Sequence, residues 1–350
     1  MRTMVKLAVF GLNQGARIAR LIKEHDDAEL AAVAGFGQQA EDVAAEVDAP
    51  LYADYNDLLA NVELDGVAIA LPNSLHLPAT KACIDAGVKF ILLEKPIANT
   101  PEEGQQIIDI CNEAGVTLLI GHHRRSSNLF LFLKEFLATG RLGKIVSIQS
   151  TFAIAKQLDY WDAEWHREPG GAVLLINAIH DIDDLNNVAG MTVKKVYAAK
   201  RNFIRGYNAE DSVTVLFEFA EGPTATYFVS DGTPSPFNYD LLAHENEQWS
   251  NENYGQSMVI YGTEGCFAFP AMDFFTYADK EHWGWRHPMV QEHFEVERNN
   301  PMASEVDHFI DLCAGRETVP RCTGEQALAS LKTINAVIES GNTGKVVEID

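Results

Sequence analysis

The chain has 350 residues, long for a single hydrophobic core and comfortable for two domains. Its hydrophobic fraction of 47% and charged fraction of 22% are ordinary for a soluble globular protein. The formal net charge of −23 argues against nucleic acid as a partner, because phosphate binding needs clustered Lys and Arg.

In chain order, the opening MRTMVKLAVFG is too short in its apolar part, and too strand-like, for a signal peptide. From there to about residue 122, strand-like and helix-like segments alternate. VKLAVFG is followed by QGARIARLIKEH, AELAAVAG by QAEDVAAEV, and DGVAIALP by HLPATKACIDAG. VKFILLEKP then leads into TPEEGQQIIDICNEAG, and VTLLIGHH closes the series. Short β-rich runs separated by periodic helices predict a doubly wound parallel sheet with helices on both faces. Thr100-Pro101-Glu102-Glu103 is a helix start, and Gly87 and Gly115 stand where helices stop.

After Arg124 the pattern changes. SSNLFLFLKEFLATG predicts a helix, GKIVSIQSTFAIAK a long strand, and GAVLLINAIHDIDDLNNVAG a buried helix. Successive strands follow in KKVYAAKRNF, DSVTVLFEFAEGPTATYFVS, QSMVIYGTEGCFAF and FFTYADK, with AEGP and GTEG as hairpin turns. MASEVDHFIDLCAG and TGEQALASLKTINAVIESG end the chain as helices. The expected fold is therefore α/β plus α+β: residues 1–122 as a Rossmann domain, and residues 123–350 as a domain with a large, mostly antiparallel open sheet. No apolar run approaches the roughly 20 residues of a membrane span. Five cysteines without close pairing (Cys83, Cys111, Cys266, Cys313 and Cys322) argue against a disulfide framework or a zinc site and fit a cytoplasmic location.

The first predicted strand ends in GLNQGARIA. A dinucleotide turn of the form G-x-G-x-x-G would have Gly11 in its first place, Asn13 in its second and Ala16 in its third. The pattern alone also fits an ordinary β-α turn; its position after strand one and before a helix favours the nucleotide. Asn13 tolerates left-handed dihedrals and can stand in for glycine. The second strand, AAVAGFGQQ, offers neither an acid for a ribose 2′-hydroxyl nor an arginine for a 2′-phosphate, so NAD and NADP both stay open.

ALPNSLHLPATKACIDAG followed by LLEKPIANTPEEG resembles the Gfo/Idh/MocA family, which includes glucose-fructose oxidoreductase and inositol dehydrogenases. GHHRR is similar to its G-x-N-R-R turn, and WHREPGGAVLLINAIHDIDDL to its helix with a G-G entry, a histidine and a following aspartate. LATGRLGKIVSI, YGTEGCF and MASEVDHFIDLCAG match further landmarks, in order, over nearly the whole chain. The resemblance implies NAD(P)-dependent oxidation of a secondary alcohol on a sugar, inositol or related polyol. It also implies a homo-oligomer, dimer or tetramer, through the C-terminal sheet. Gly11, Asn13, Gln14, Ala16, Leu71, Pro72, Asn73, His76, Glu94 and Lys95 would then line the cofactor.

Within that frame Lys95 is expected at the C-terminal edge of the parallel sheet, beside nicotinamide, with Pro96 setting the backbone as a cis bond. A lysine beside cationic nicotinamide is disfavoured in its charged form and can shuttle a proton. Asn177, His180 and Asp184 fall at i, i+3 and i+7, one helical face. His180 is the candidate general base and Asn177 a substrate-orienting residue. Relatives place an aspartate four residues before this histidine, where this chain has Ile176. His123, Arg124, Lys156, Trp165 and Arg167 are candidate substrate contacts, and HWGWRHP (282–288) is an aromatic platform or a packing or interface segment. Two other functions compete: a non-catalytic dinucleotide-binding regulator, and an internal-redox enzyme that cleaves glycosides and returns NAD unchanged. No Cys/His/carboxylate set has metal spacing.

Overall fold

The computed structural model describes residues 4–220, 222–246, 249–250 and 252–349. The chain divides into two units, Met1–Ser126 with Pro301–Leu331 and Ser127–Asn300 with Lys332–Asp350.

The first unit begins with β1 (Val5–Phe10), α1 (Gly15–Glu24), β2 (Ala28–Ala34), α2 (Gln38–Glu46), β3 (Leu51–Tyr52), α3 (Tyr55–Asn61) and β4 (Gly66–Ile69). It continues with α4 (His76–Asp85), β5 (Phe90–Glu94), α5 (Pro101–Ala114) and β6 (Thr117–Gly121). All six strands pair in parallel, in the order β3-β2-β1-β4-β5-β6. This is the doubly wound dinucleotide-binding order, with its switch point between β1 and β4. The strands are nearly all apolar because helices cover both faces; Leu7, Val9, Val67, Ala68, Ile91 and Leu93 have no exposed surface. At α5 the expected start is present: the Thr100 hydroxyl accepts the Glu103 N–H at 3.2 Å, Pro101 opens the helix, and Gly115 ends it at φ +64°.

The second unit holds α6 (Asn128–Ala138), β7 (Ile145–Ala153), α7 (Ile179–Ala189), β8 (Val193–Arg201), β9 (Ser212–Phe219), β10 (Thr224–Ser230) and α8 (Tyr239–Ala243). Strands β11 (Met258–Gly262), β12 (Cys266–Phe269), β13 (Asp273–Thr276) and β14 (Val290–His293) follow. Then come α9 (Pro301–Cys313), which belongs to the first unit, α10 (Gly324–Thr343), which is divided between the two, and β15 (Val347–Glu348). The nine-stranded sheet runs β14-β13-β12-β11-β7-β10-β9-β8-β15, antiparallel throughout except for the β7–β10 pair. The β9–β10 hairpin forms as expected, although Glu221 of its AEGP turn lies outside the described residues. β9 alternates buried Val213, Val215, Phe217 and Phe219 with exposed Thr214, Leu216 and Glu218, the signature of a sheet buried on one face.

A single cut after residue 122 does not describe the chain. Residues 301–331 belong with the first sheet, because Val306, Phe309, Ile310 and Leu312 of α9 join the apolar cluster of Val9, Ile18 and Ala68. Gly66 makes room for this: a Cβ there would lie 2.9 Å from Phe309 Cζ. The Ile120 N–H donates to Cys322 O at 3.1 Å, and Arg125 Nη1 donates to Arg321 O and to Gln326 Oε1. Phe309→Ala is expected to lower the unfolding free energy by about 3–5 kcal/mol, since it empties a fully buried aromatic site. Denaturant unfolding followed by circular dichroism measures it.

Candidate active site

Strand β1 delivers the chain into Gly11 at φ +84°, where a Cβ would sit 2.4 Å from Ala70 O, at the end of neighbouring β4. Only glycine lets the two strand ends approach so closely. α1 then opens with no side-chain cap and no acid in its first turn, leaving its amide N–H groups for an anion. This cradle fits a dinucleotide pyrophosphate. Asn13, which tolerates a left-handed conformation, does not adopt one; Gly11 is the residue of the turn with a positive φ. Close packing of helix on strand comes from Gly15, which the motif count passed over: a Cβ there would lie 2.8 Å from Val9 Cγ1. Gln14 starts the helix and Ala16 is buried beneath it.

Leu71, Pro72 and Asn73 follow β4 into a short 3₁₀ turn. His76 was expected to line the cofactor, but it is 1% exposed and both ring nitrogens face backbone carbonyls, Leu71 O at 3.0 Å and Ile97 O at 3.2 Å. Burial holds its pKa down against those carbonyls. It is a tie between the β4 exit and the turn after Lys95.

Lys95 stands directly after β5, and the Lys95–Pro96 bond is cis, as expected. The Lys95 N–H donates to Glu94 Oε2 at 3.1 Å, and Gly121 lies opposite Glu94 in β6 with no side chain to crowd its carboxylate. Burial raises the Glu94 pKa, opposed by Lys95. His123 follows β6. Its pKa is driven down to about 3 by desolvation and then by Arg124, Lys95, His122 and Arg17, so it is a neutral imidazole at working pH. Arg124 is buried beside it in sequence.

Behind Glu94 lies Glu305 of α9, 3% exposed. Burial, and then Glu94, push its carboxyl well above the usual range, against the pull of Arg321. The folded protein keeps a proton that the unfolded chain releases above about pH 4.5. Stability is therefore expected to fall as pH rises from there toward the folded pKa, by up to about 1.4 kcal/mol per pH unit. Glu305→Gln should reduce that slope, leaving the part that the raised Glu94 contributes, read as unfolding midpoints of both proteins from about pH 5 to 8.

In the second unit, Leu174–Ala178 forms a π turn that leads into α7, with the Ile179 N–H reaching back to Leu174 O. π turns inside helices mark functional sites more often than chance. The wider turn changes the spacing between Asn177 and His180, whereas His180 and Asp184 keep the i, i+4 relation of one face within α7. His180 and Asn177 are half-buried, while Asp184 is 2% exposed. Asn177 Oδ1 is buried with no hydrogen-bond partner among the described residues. Asp181, next to His180, is spoken for: it accepts from the Tyr227 hydroxyl at 2.8 Å.

Residues 5–122 match the oxidoreductase family with an NAD-binding Rossmann fold, and residues 130–268 match the GFO/IDH/MocA C-terminal domain. This chain belongs to the Gfo/Idh/MocA family. It is 28% identical to a D-xylose 1-dehydrogenase (NADP(+)) of Haloferax volcanii, over 92% of each chain. It is 26% identical to a 2,7-anhydro-N-acetylneuraminate hydratase of Escherichia coli, over 68% of each. Its fold matches that of a scyllo-inositol dehydrogenase from Lactobacillus casei, solved with NAD(H) and scyllo-inositol, with a TM-score of 0.78, 18% identity and 99% of both chains covered.

This Gfo/Idh/MocA chain also carries a cluster past the ends of β7 and β10. Lys156, expected as a substrate contact, lies with its Nζ 4.1 Å from the Tyr160 ring centroid and 3.6 Å from Asp231. Arg205 pairs with the same carboxylate and stacks its guanidinium 3.8 Å from the Trp161 centroid. Arg167 is turned aside: its Nε donates to Trp161 O at 2.6 Å and its guanidinium lies over Tyr207. Trp165 is 57% exposed and packs on His166. Arg205, Asp231, Tyr160 and Trp161 escaped the sequence reading, since nothing in their local sequence announces a shared location. In HWGWRHP, Trp283 packs on Tyr277 and Lys280 at a shallow cavity of about 360 Å³, while Trp285 is 87% exposed. Among the described residues no group of three or more His, Cys, Asp or Glu is arranged to hold a metal ion, and no helix is long and apolar enough to cross a membrane.

Proposed function

We propose that this chain oxidises a secondary hydroxyl of a sugar or polyol with NAD or NADP. The observation that carries the reading is Lys95, held at the C-terminal end of β5 with its amide on Glu94, one strand from the Gly11 cradle at the β1–β4 switch point. The Gly11–Ala16 turn, with Leu71, Pro72 and Asn73, would hold the dinucleotide. When bound, that group supplies the hydride acceptor.

Lys95 and His180 handle the hydroxyl proton, and Asn177, whose buried amide oxygen has no hydrogen-bond partner among the described residues, orients the alcohol. His123 and Arg124 are the substrate contacts of the first unit, and Lys156 that of the second. The exposed Tyr197, Leu216 and Tyr261, which share one face of the second sheet, suit a homo-oligomer contact. The test of the reading is nicotinamide reduction by the purified protein, with NAD and NADP separately, across inositols, aldoses, anhydro-sugars and sugar acids. Net reduction with at least one alcohol is expected. Likeness to an anhydro-sugar hydratase favours one second reading, an internal redox cycle. Substrate consumed with no net change in nicotinamide absorbance would select it and reject the dehydrogenase.

A further inference from the structure

We propose that Lys156 and Arg205, walled by Tyr160 and Trp161, form a carboxylate-recognition site, and that the substrate is an acidic sugar or polyol rather than a neutral one. The inference deepens the proposed function and rests on it for treating the second unit as the substrate-binding one.

The cluster is built by backbone. β7 and β10 run parallel and in register to Ala153 and Ser230, and past their ends the Lys156 N–H donates to Asp231 O at 3.1 Å. Asp211, fully buried, accepts the backbone N–H groups of Phe203 and Arg205, which shapes the loop that presents Arg205. Gly232 leaves space for the guanidinium: a Cβ there would lie 2.9 Å from Arg205 Nη1.

Asp211 is taken up by backbone N–H groups and the Ser212 hydroxyl, so Asp231 is the carboxylate that Lys156 and Arg205 face. Two cations, 11% and 13% exposed, share one carboxylate whose side chain is 0% exposed. Lys156 lies 3.6 Å from Asp231, too far for a good direct hydrogen bond. Lys156 Nζ, Arg205 Nε and Nη1, and Asp231 Oδ2 are buried without a hydrogen-bond partner among the described residues. A closed structural ion pair would leave that excess positive charge and those donors unmet, which is costly in a desolvated site. Burial accordingly lowers the Lys156 pKa to about 8 and raises that of Tyr160 to about 12, so the tyrosine brings no negative charge.

One further anion would complete the set. A carboxylate can accept from both Lys156 and Arg205, whereas a hydroxyl brings no charge to balance. That the carboxylate is carried on a carbohydrate comes from the proposed function, because the Tyr160 ring is already covered by Lys156 and His166 and the Trp161 ring by Arg205.

The experiment is equilibrium binding by calorimetry on the full chain. The probes are D-glucuronate, D-galacturonate and D-gluconate, each against its neutral partner D-glucose, D-galactose or D-glucitol. At least one acid is expected to bind tighter than its neutral partner, by about 10- to 100-fold. Lys156→Met should abolish the preference, while Asp231→Asn, which removes the competing carboxylate, should strengthen it. Thermal unfolding checks that each variant is folded, and the opposite signs separate recognition from a structural role. No acid bound in preference by the wild type, or equal losses for acid and neutral probes in both variants, overturns the inference. Acid binding without hydride transfer to either nicotinamide sustains it and rejects the dehydrogenase. Turnover of neutral polyols alone does the reverse.

Discussion

Lys95→Ala is expected to lower kcat for alcohol oxidation by about 10²- to 10⁴-fold, the span of a positioned acid–base group. The side chain leaves β5 at its C-terminal end, and its backbone is fixed independently of the ammonium, by the Glu94 carboxylate on its N–H and by His76 bridging Leu71 O and Ile97 O. Removing the side chain should leave that frame standing. Dinucleotide affinity and the unfolding midpoint are therefore expected to stay close to wild type while the rate collapses. A kcat within tenfold of wild type would remove Lys95 from the chemistry. A fall in kcat/KM with kcat unchanged would make it a binding residue instead.

Gly11→Ala is expected to act on both stability and cofactor. The new Cβ would meet Ala70 O at 2.4 Å and Ala70 C at 2.8 Å, both backbone atoms, and the residue would still be held at φ +84°. Neither neighbour can rotate away, because Ala70 donates its N–H to Phe10 O at 2.7 Å at the β1–β4 junction. The strain should cost about 3 kcal/mol, lowering the unfolding midpoint of the first unit by roughly 10 °C. Dinucleotide affinity should fall with it, because the turn that presents the α1 amides is displaced. Fluorescence titration with NADH and NADPH, beside thermal unfolding, reads both effects. An unfolding midpoint and affinities unchanged from wild type would mean that the cradle is not required.

Two kinds of residue separate what was legible in the chain from what was not. Lys95-Pro96, the Thr100 cap, Gly115 and the alternation of β9 are local features, set by a few neighbours and by periods of 2 or 3.6 residues, and each appears where the sequence places it. The short edge strands β3, β14 and β15 lack such a period, being only two to four residues long. The π turn before His180 was invisible too, because a count at 3.6 residues presupposes the α-helix it is meant to detect. His76 shows a subtler limit: its motif was recognised, but its use as a bridge between two carbonyls depends on loops 21 residues apart.

By itself, then, the sequence determined the alternation of strands and helices, the glycine-opened turn, the family and the placing of Lys95, because local sterics and hydrophobic periodicity act over a handful of neighbouring residues. Only the tertiary structure decided that residues 301–331 complete the first unit, that Glu305 lies behind Glu94, and that Lys156, Arg205 and Asp231 share one buried charge cluster. Burial and Coulomb interactions depend on distance in space, and residues far apart in the chain carry no local mark of the neighbours that folding gives them.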